Sequence, residues 1–310
     1  MKSFDYSCRH RTTEWPTCVA FATFTASVFV LNLYLLVPKT IRSLSRDDPI
    51  QIKWRIFSVI ATIIFNMIIY PFIFCENSDY DNALDTNTTL ANTMGLTGWT
   101  WHRTFLPLFH TILLYMGPIL TSLLKKSYFK DTKKQSRNQP SKTGSLNLTS
   151  FLSQVTWGKS RDYFIAPLAE EVSFRSCIVT PFLHMKTYQD GELSLSTICW
   201  CTPLFFGIAH LHHAIRRLRE KQCNVKIVIL SSAFQFLYTT VFGAYATFCL
   251  VKTGSIIGVI MLHSFCNFMG LPSLSFMFVD DKGYKMLCSF AYMGGIVCFW
   301  FGFYSSYWTE

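Results

Sequence analysis

Two of the 18 acidic residues in this 310-residue chain sit together inside an apolar run, in Leu168-Ala-Glu-Glu-Val-Ser-Phe-Arg175. A charge buried in such a run is costly, and chains keep one there chiefly for function. At helical spacing Glu171 and Arg175 share a face at i and i+4 and can pair. Glu170 lies about 100° further round the helix and is directed away from that pair. A buried ion pair that merely fixes helix packing accounts for Glu171 and Arg175 and leaves Glu170 unexplained. The same spacing recurs twice downstream. In Phe206-Gly-Ile-Ala-His210 a ring and an imidazole share a face, and in His263-Ser-Phe-Cys-Asn267 an imidazole and an amide do. Taken singly, His210 reads as a bonded core histidine and Asn267 as a packing amide. His212 and His213, at a basic helix end, read as interfacial and receive no role.

The composition indicates what must position these groups. Half the residues are hydrophobic, 16% are aromatic and only 15% are charged. Soluble domains carry about a quarter charged residues, so this chain lacks the charge for a water-facing surface. The 29 Phe, 14 Tyr and 8 Trp exceed what one soluble core can hide. Disorder, fibres and small disulfide scaffolds are excluded. A net charge of +10 does not indicate nucleic acid, because the basic residues fall in blocks between apolar runs. The cysteines at 18, 75, 177, 199, 201, 249, 266, 288 and 298 lie in or beside those runs and read as small buried hydrophobes.

A spanning helix needs about 20 mainly apolar residues. Eight runs qualify as candidates: 16–37, 56–75, 105–124, 163–184, 193–213, 225–251, 255–271 and 286–308. The first is too long for a signal-peptide core and lacks a cleavage signature, so it is expected to remain as a span. The predicted fold is all-α and polytopic, with about eight transmembrane helices enclosing a polar cavity. Residues 1–124 form a three-span half and 161–310 a five-span catalytic half. A basic, Ser/Thr/Asn/Gln-rich segment at 125–160 separates them and reads as a solvated linker. Alternating the loops places 21 Lys/Arg on one side and 6 on the other. The rich side is cytoplasmic by the positive-inside rule.

In that topology Glu170 lies about 15 Å from the cytoplasmic side. His210 sits near the cytoplasmic end of its span, and His263 and Asn267 lie in the cytoplasmic half of theirs. An acid, two imidazoles and an amide at one level form a hydrolytic constellation. A carboxylate with an imidazole can activate water, and further donors can hold a developing oxyanion. A zinc protease is a competing reading, but the chain has no His-Glu-x-x-His and one ligand would be Asn. A membrane scaffold or transporter with a buried ion network is another.

The ordered set Glu-Glu-x-x-x-Arg, Phe-x-x-x-His and His-x-x-x-Asn, each on its own apolar run, resembles the CAAX prenyl endoproteases of the Ras-converting type. They belong to a superfamily of glutamate-type intramembrane proteases, and a relative from it with another peptide substrate, such as a bacterial-type peptide-processing or immunity protein, is a further competing reading. The resemblance covers about a third of the chain, and all of its motif positions are filled. It implies a multi-pass enzyme of the endoplasmic reticulum that removes the last three residues of prenylated CAAX proteins, such as Ras-type small GTPases, without a cofactor. Carried over by position, Glu170 and His210 activate water and His263 and Asn267 hold the oxyanion. Glu171, Arg175 and Phe206 support them.

Overall fold

Polar caps in front of apolar runs set the helix boundaries. Asp48 accepts hydrogen bonds from the backbone N–H groups of Ile50 and Gln51, and Pro49 supplies a fixed φ at the first helical position. Ser194, Asn224, Ser255 and Asp281 cap later helices in the same way. The computed structural model describes residues 8–10, 14–45, 47–77, 94–97, 99–124, 156–185, 193–219, 224–304 and 308. The basic segment at 125–160 lies almost wholly outside the described residues.

In chain order the helices are α1 (Trp15–Leu35), α2 (Lys39–Arg42), α3 (Pro49–Phe74), α4 (Trp101–Leu114) and α5 (Met116–Leu124). Then come α6 (residues 157–183), α7 (Leu195–Ala209), α8 (His212–Arg219), α9 (Val225–Thr253), α10 (Ile256–Met269) and α11 (Lys282–Gly302). A 3₁₀ turn, Ser275–Phe278, precedes α11. Among the described residues the only strands are β1 (Cys8–His10) and β2 (Cys75–Asn77), an antiparallel pair that ties the N-terminal segment to the end of α3.

The outer surface is that of a membrane protein. Leu35, Phe72, Leu230, Phe278 and Tyr304 are each at least 72% exposed, an apolar exterior that only lipid satisfies. Five helical stretches are long and apolar enough to cross a bilayer: Trp15–Leu35, Pro49–Phe74, Leu195–Leu218, Val225–Thr253 and Lys282–Gly302. A sixth forms if α4 and α5, bent by 60°, count as one span. The bend has a local cause, since the ring of Pro118 clashes with the carbonyl four residues back, at Leu114, where α4 ends. The two other expected spans coincide with α6 and α10, but α10 has only 14 residues. That is about 21 Å, short of a hydrocarbon core about 30 Å thick. The chain is a polytopic helical membrane protein, although not every expected span reaches crossing length.

Among the described residues two larger apolar cores, and a smaller one of Phe276, Tyr284 and Cys288, hold the bundle. In one, Phe21, Tyr70, Phe74, Cys177, Phe182 and Phe206 join α1, α3, α6 and α7. In the other, Cys249, Leu250, Ile256, Val259 and Leu262 join α9 and α10 beneath Trp308. Gly254 makes the second possible. Its φ of +61° closes α9 with a left-handed cap, its N–H donating to the Leu250 carbonyl. The chain then turns within two residues, and α10 packs against α9 and α4.

The cysteines divide three ways. Cys18, Cys177, Cys199, Cys249, Cys266 and Cys288 are buried thiols, as expected, but Cys201 and Cys298 are exposed on the apolar exterior. Cys75 is a further correction, because it is held in a disulfide. It starts β2, where the chain leaves the apolar run and can reach a partner.

Candidate active site

α6 carries the paired glutamates and is irregular around them. Its segments are α-helix Trp157–Ser160, π-helix Arg161–Ile165, α-helix Ala166–Glu171, π-helix Val172–Cys177 and α-helix Ile178–Leu183. The two carboxylates therefore end a single α-helical turn set between two π-helical ones. Such π segments are rare and concentrate at functional sites.

The expected Glu171–Arg175 pair forms, with Arg175 Nε 3.0 Å from Glu171 Oε2 and both side chains fully buried. The approach is off the hydrogen-bond axis, and Nε, Nη1 and Nη2 all lack hydrogen-bond acceptors among the described residues. Aromatic faces take their place. The guanidinium lies 4.4 Å from the Phe206 ring centroid and 5.8 Å from that of Phe242, a cation–π bracket. Phe206 thus serves the buried arginine directly. A Cβ placed at Gly243 would lie 2.6 Å from Pro203 Cβ and 3.2 Å from Arg175 Nη2, so the absence of a side chain there lets α9 close over the guanidinium.

His263, on α10, stands between the two glutamates. Its Nδ1 is 2.5 Å from Glu171 Oε1, and since an ionised carboxylate only accepts, Nδ1–H is the donor. That fixes the ring and turns Nε2 towards Glu170 Oε2, 3.8 Å away. Phe242 packs against the imidazole, with centroids 4.7 Å apart. Arg175, Glu171, His263 and Glu170 thus form one polar chain crossing from α6 to α10 and back.

Glu170 is the exposed end of that chain, its side chain 20% accessible where that of Glu171 is closed. It lines a cavity of about 120 Å³ together with His210. The His210 Nδ1–H donates to the Phe206 carbonyl at 2.8 Å, which leaves Nε2 as the basic nitrogen. The rest of the wall is largely apolar, with Phe29, Val30 and Leu33 from α1 and Ile56 and Val59 from α3. Asn267 reaches the same region by another route, its Nδ2 donating to the backbone carbonyl of Asp162, a cavity residue, at 3.0 Å.

The structure thus brings Glu170 and His210 together in one cavity. It places His263 at Glu170 from the α10 side and holds Asn267 at the cavity's Asp162 edge. His263 is engaged with Glu171, a contact that sequence spacing did not suggest. His212 and His213, given no role from sequence, line the cavity too. The reason is local: α7 ends at Ala209, and the turn through His210 and Leu211 swings the next two imidazoles back onto it. Phe242 and Gly243 had no signal beyond membership of a long apolar run. Among the described residues no three His, Cys, Asp or Glu side chains are grouped as metal ligands.

Comparison with known proteins places the chain in a family. Residues 153–269 match the family model described as "Type II CAAX prenyl endopeptidase Rce1-like". Proteins named CAAX prenyl protease 2 align with most of the chain. That of Arabidopsis thaliana is 30% identical over 302 residues, covering 91% of this chain and 86% of its own length. The chain belongs to the Rce1-like family. The Homo sapiens protein is 34% identical over 240 residues, covering 74% of this chain and 65% of that protein. The Saccharomyces cerevisiae protein is 28% identical over 283 residues, with 84% and 85% covered. No solved structure matches. The Rce1-like interval runs from just before α6 to the end of α10, and it contains every residue of the polar constellation.

Proposed function

We propose that this protein is an intramembrane endopeptidase that removes the C-terminal tripeptide of prenylated CAAX proteins, cutting after the prenylcysteine. The observation that carries the reading is the shared cavity of Glu170 and His210, polar at one end and apolar along α1 and α3. A lipidated peptide needs both surfaces. The isoprenoid rests against Phe29, Val30, Leu33 and Val59, and the scissile amide lies at the carboxylate.

Water held between Glu170 and the His210 Nε2 loses a proton to the carboxylate as its oxygen attacks the amide carbonyl carbon. The carbonyl oxygen becomes an oxyanion, for which Asn267 is a donor and, once its Nε2 also carries a proton, so is His263. The proton then passes to the departing amine nitrogen as the C–N bond breaks. Glu171 holds the His263 ring in register, and Arg175 balances Glu171. Family membership, the two-faced cavity and this polar chain support the assignment.

The substrate class extends to Ras-type small GTPases, the membrane is that of the endoplasmic reticulum, and the cavity faces the cytoplasm. The positive-inside distribution supports the orientation, since prenylated tails arise on the cytosolic side. The purified protein is to be incubated with a prenylated CAAX peptide and the products read by mass spectrometry. Release of the intact C-terminal tripeptide is expected. Release of single residues, or cleavage of the unprenylated peptide at an equal rate, would overturn the reading.

A further inference from the structure

Between α3 and α4 a short described segment, Met94 to Thr97, belongs to neither helix, and its first two residues are buried. Met94 packs in the first core, and Leu96 lies against both larger cores. A backbone sealed in that way must place its carbonyls on donors. The Ser176 hydroxyl donates to the Met94 carbonyl at 2.8 Å, a buried bond. The next carbonyl, that of Gly95, accepts from the Ile256 N–H at 3.0 Å and from the Trp99 Nε1–H at 3.0 Å. Ile256 is the first residue of α10, and its N–H is one of the four that a helix start leaves without an internal acceptor. Gly95 makes the close approach possible. Its φ of +70° favours glycine, and a Cβ there would lie 3.2 Å from both the Gly254 carbonyl oxygen and the Ile256 nitrogen.

The two helices tied in this way are those of the polar constellation. Ser176 adjoins Arg175 in the π segment Val172–Cys177, which begins directly after Glu171. Ile256 lies seven residues before His263, about two helical turns. At their other ends α6 and α10 are tied directly, with Asn267 Nδ2 donating to the Asp162 carbonyl. Asp162 thus meets Asn267, Glu171 meets His263, and Ser176 meets Ile256 through Met94 and Gly95. The helices are therefore antiparallel, and the Glu171–His263 contact lies between two fixed points. A hydrogen bond weakens steeply with misalignment, so that contact depends on how well both points are held.

We propose that Met94 and Gly95 form a positioning strap for the reaction. By joining Ser176 to Ile256 they hold α10 in register with α6, and so set the Glu171–His263 contact that turns the His263 Nε2 towards Glu170. This role rests on the endopeptidase reading above. The strap acts through His263 and takes no part in breaking the bond.

Ser176→Ala removes the donor from the Met94 carbonyl, and Gly95→Ala brings a Cβ against the Ile256 nitrogen. Both are to be assayed as full-length protein in detergent on a prenylated CAAX peptide, alone and in the Glu171→Gln background. Each single variant is expected to lower kcat by about tenfold, the scale of coupling between neighbouring groups, with KM within about twofold of wild type. In the Glu171→Gln background, where the contact is already broken, the same substitutions are expected to lower kcat by less than about twofold. If Gly95→Ala does not fold, as read by thermal unfolding in detergent, Ser176→Ala decides the question. If Glu171→Gln turns over too slowly to compare, the kcat and KM of Ser176→Ala decide it. An unchanged kcat in Ser176→Ala, a loss expressed in KM, or an equal loss of kcat with and without Glu171 overturns the positioning role and leaves the protease reading standing. Failure of wild type to cleave the peptide overturns the protease reading and this role with it.

Discussion

At the scale of the residue, the site depends on two adjacent carboxylates held in different states of engagement. Glu171 is closed off between Arg175 and His263, while Glu170 opens to the cavity beside His210. Glu170→Gln keeps the shape and removes the proposed base, and His210→Ala removes its proposed partner. Each is expected to lower kcat by about 10² to 10⁴-fold with the unfolding midpoint nearly unchanged, and a variant keeping more than about a tenth of wild-type turnover would break the assignment. Glu171→Gln probes a positioning residue. It should lower kcat and change the pH dependence of kcat with little effect on KM, because His263 loses the carboxylate that fixes its Nδ1–H; a change confined to KM would place His263 in binding instead. The Glu171–Arg175 pair was legible in the sequence because i,i+4 geometry is local. The Glu171–His263 contact was not, since it joins residues 92 positions apart and depends on how α10 seats against α6.

At the scale of the element, the helices were legible where an apolar run directly followed a polar cap, as at Ser194 and Asn224, whereas α3 starts at Pro49, seven residues before the expected run. The irregularities were not. Nothing in Arg161–Ile165 or Val172–Cys177 marks a π turn, because such a turn is chosen by tertiary packing rather than by propensity. The extended reach of α9 over α6 was equally hidden, although it rests on one residue. Gly243 lets Pro203 of α7 and the Arg175 guanidinium approach the α9 backbone. Gly243→Val is therefore expected to destabilise the protein by about 1–3 kcal/mol through overpacking. Because the displaced neighbour is Arg175, activity should fall even at temperatures where the variant remains folded. Thermal unfolding in detergent and turnover of the prenylated peptide, measured on the same preparation, check both effects. An unchanged midpoint would mean that α7 and α9 can part at no cost.

At the scale of the whole molecule, everything proposed for the cavity depends on which way the bundle faces. Two independent features support the same answer. Basic residues concentrate in the loops at the α3 and α6 starts, which supports a cytoplasmic placement of that side. Cys75, at the other end of α3, is disulfide-bonded, and disulfides persist in oxidising compartments such as the lumen. The chain carries two sequons, Asn87-Thr88-Thr89 and Asn147-Leu148-Thr149, both outside the described residues. Glycan transfer is confined to the lumenal face, so each sequon reports the side of its loop. The loop with Asn87 follows the disulfide-bearing end of α3, and the one with Asn147 leads into α6 at its basic start. Expression in a eukaryotic membrane, followed by glycosidase digestion and mass spectrometry of the two peptides, should find Asn147 bare in every molecule. Asn87 is the position open to a glycan, although proximity to the bilayer can block transfer, so its occupancy carries less weight. A glycan on Asn147 would put the starts of α3 and α6 in the lumen. Glu170 and His210 would then face away from the cytosol, where prenylated chains arise, and the orientation proposed for the enzyme would have to be reversed.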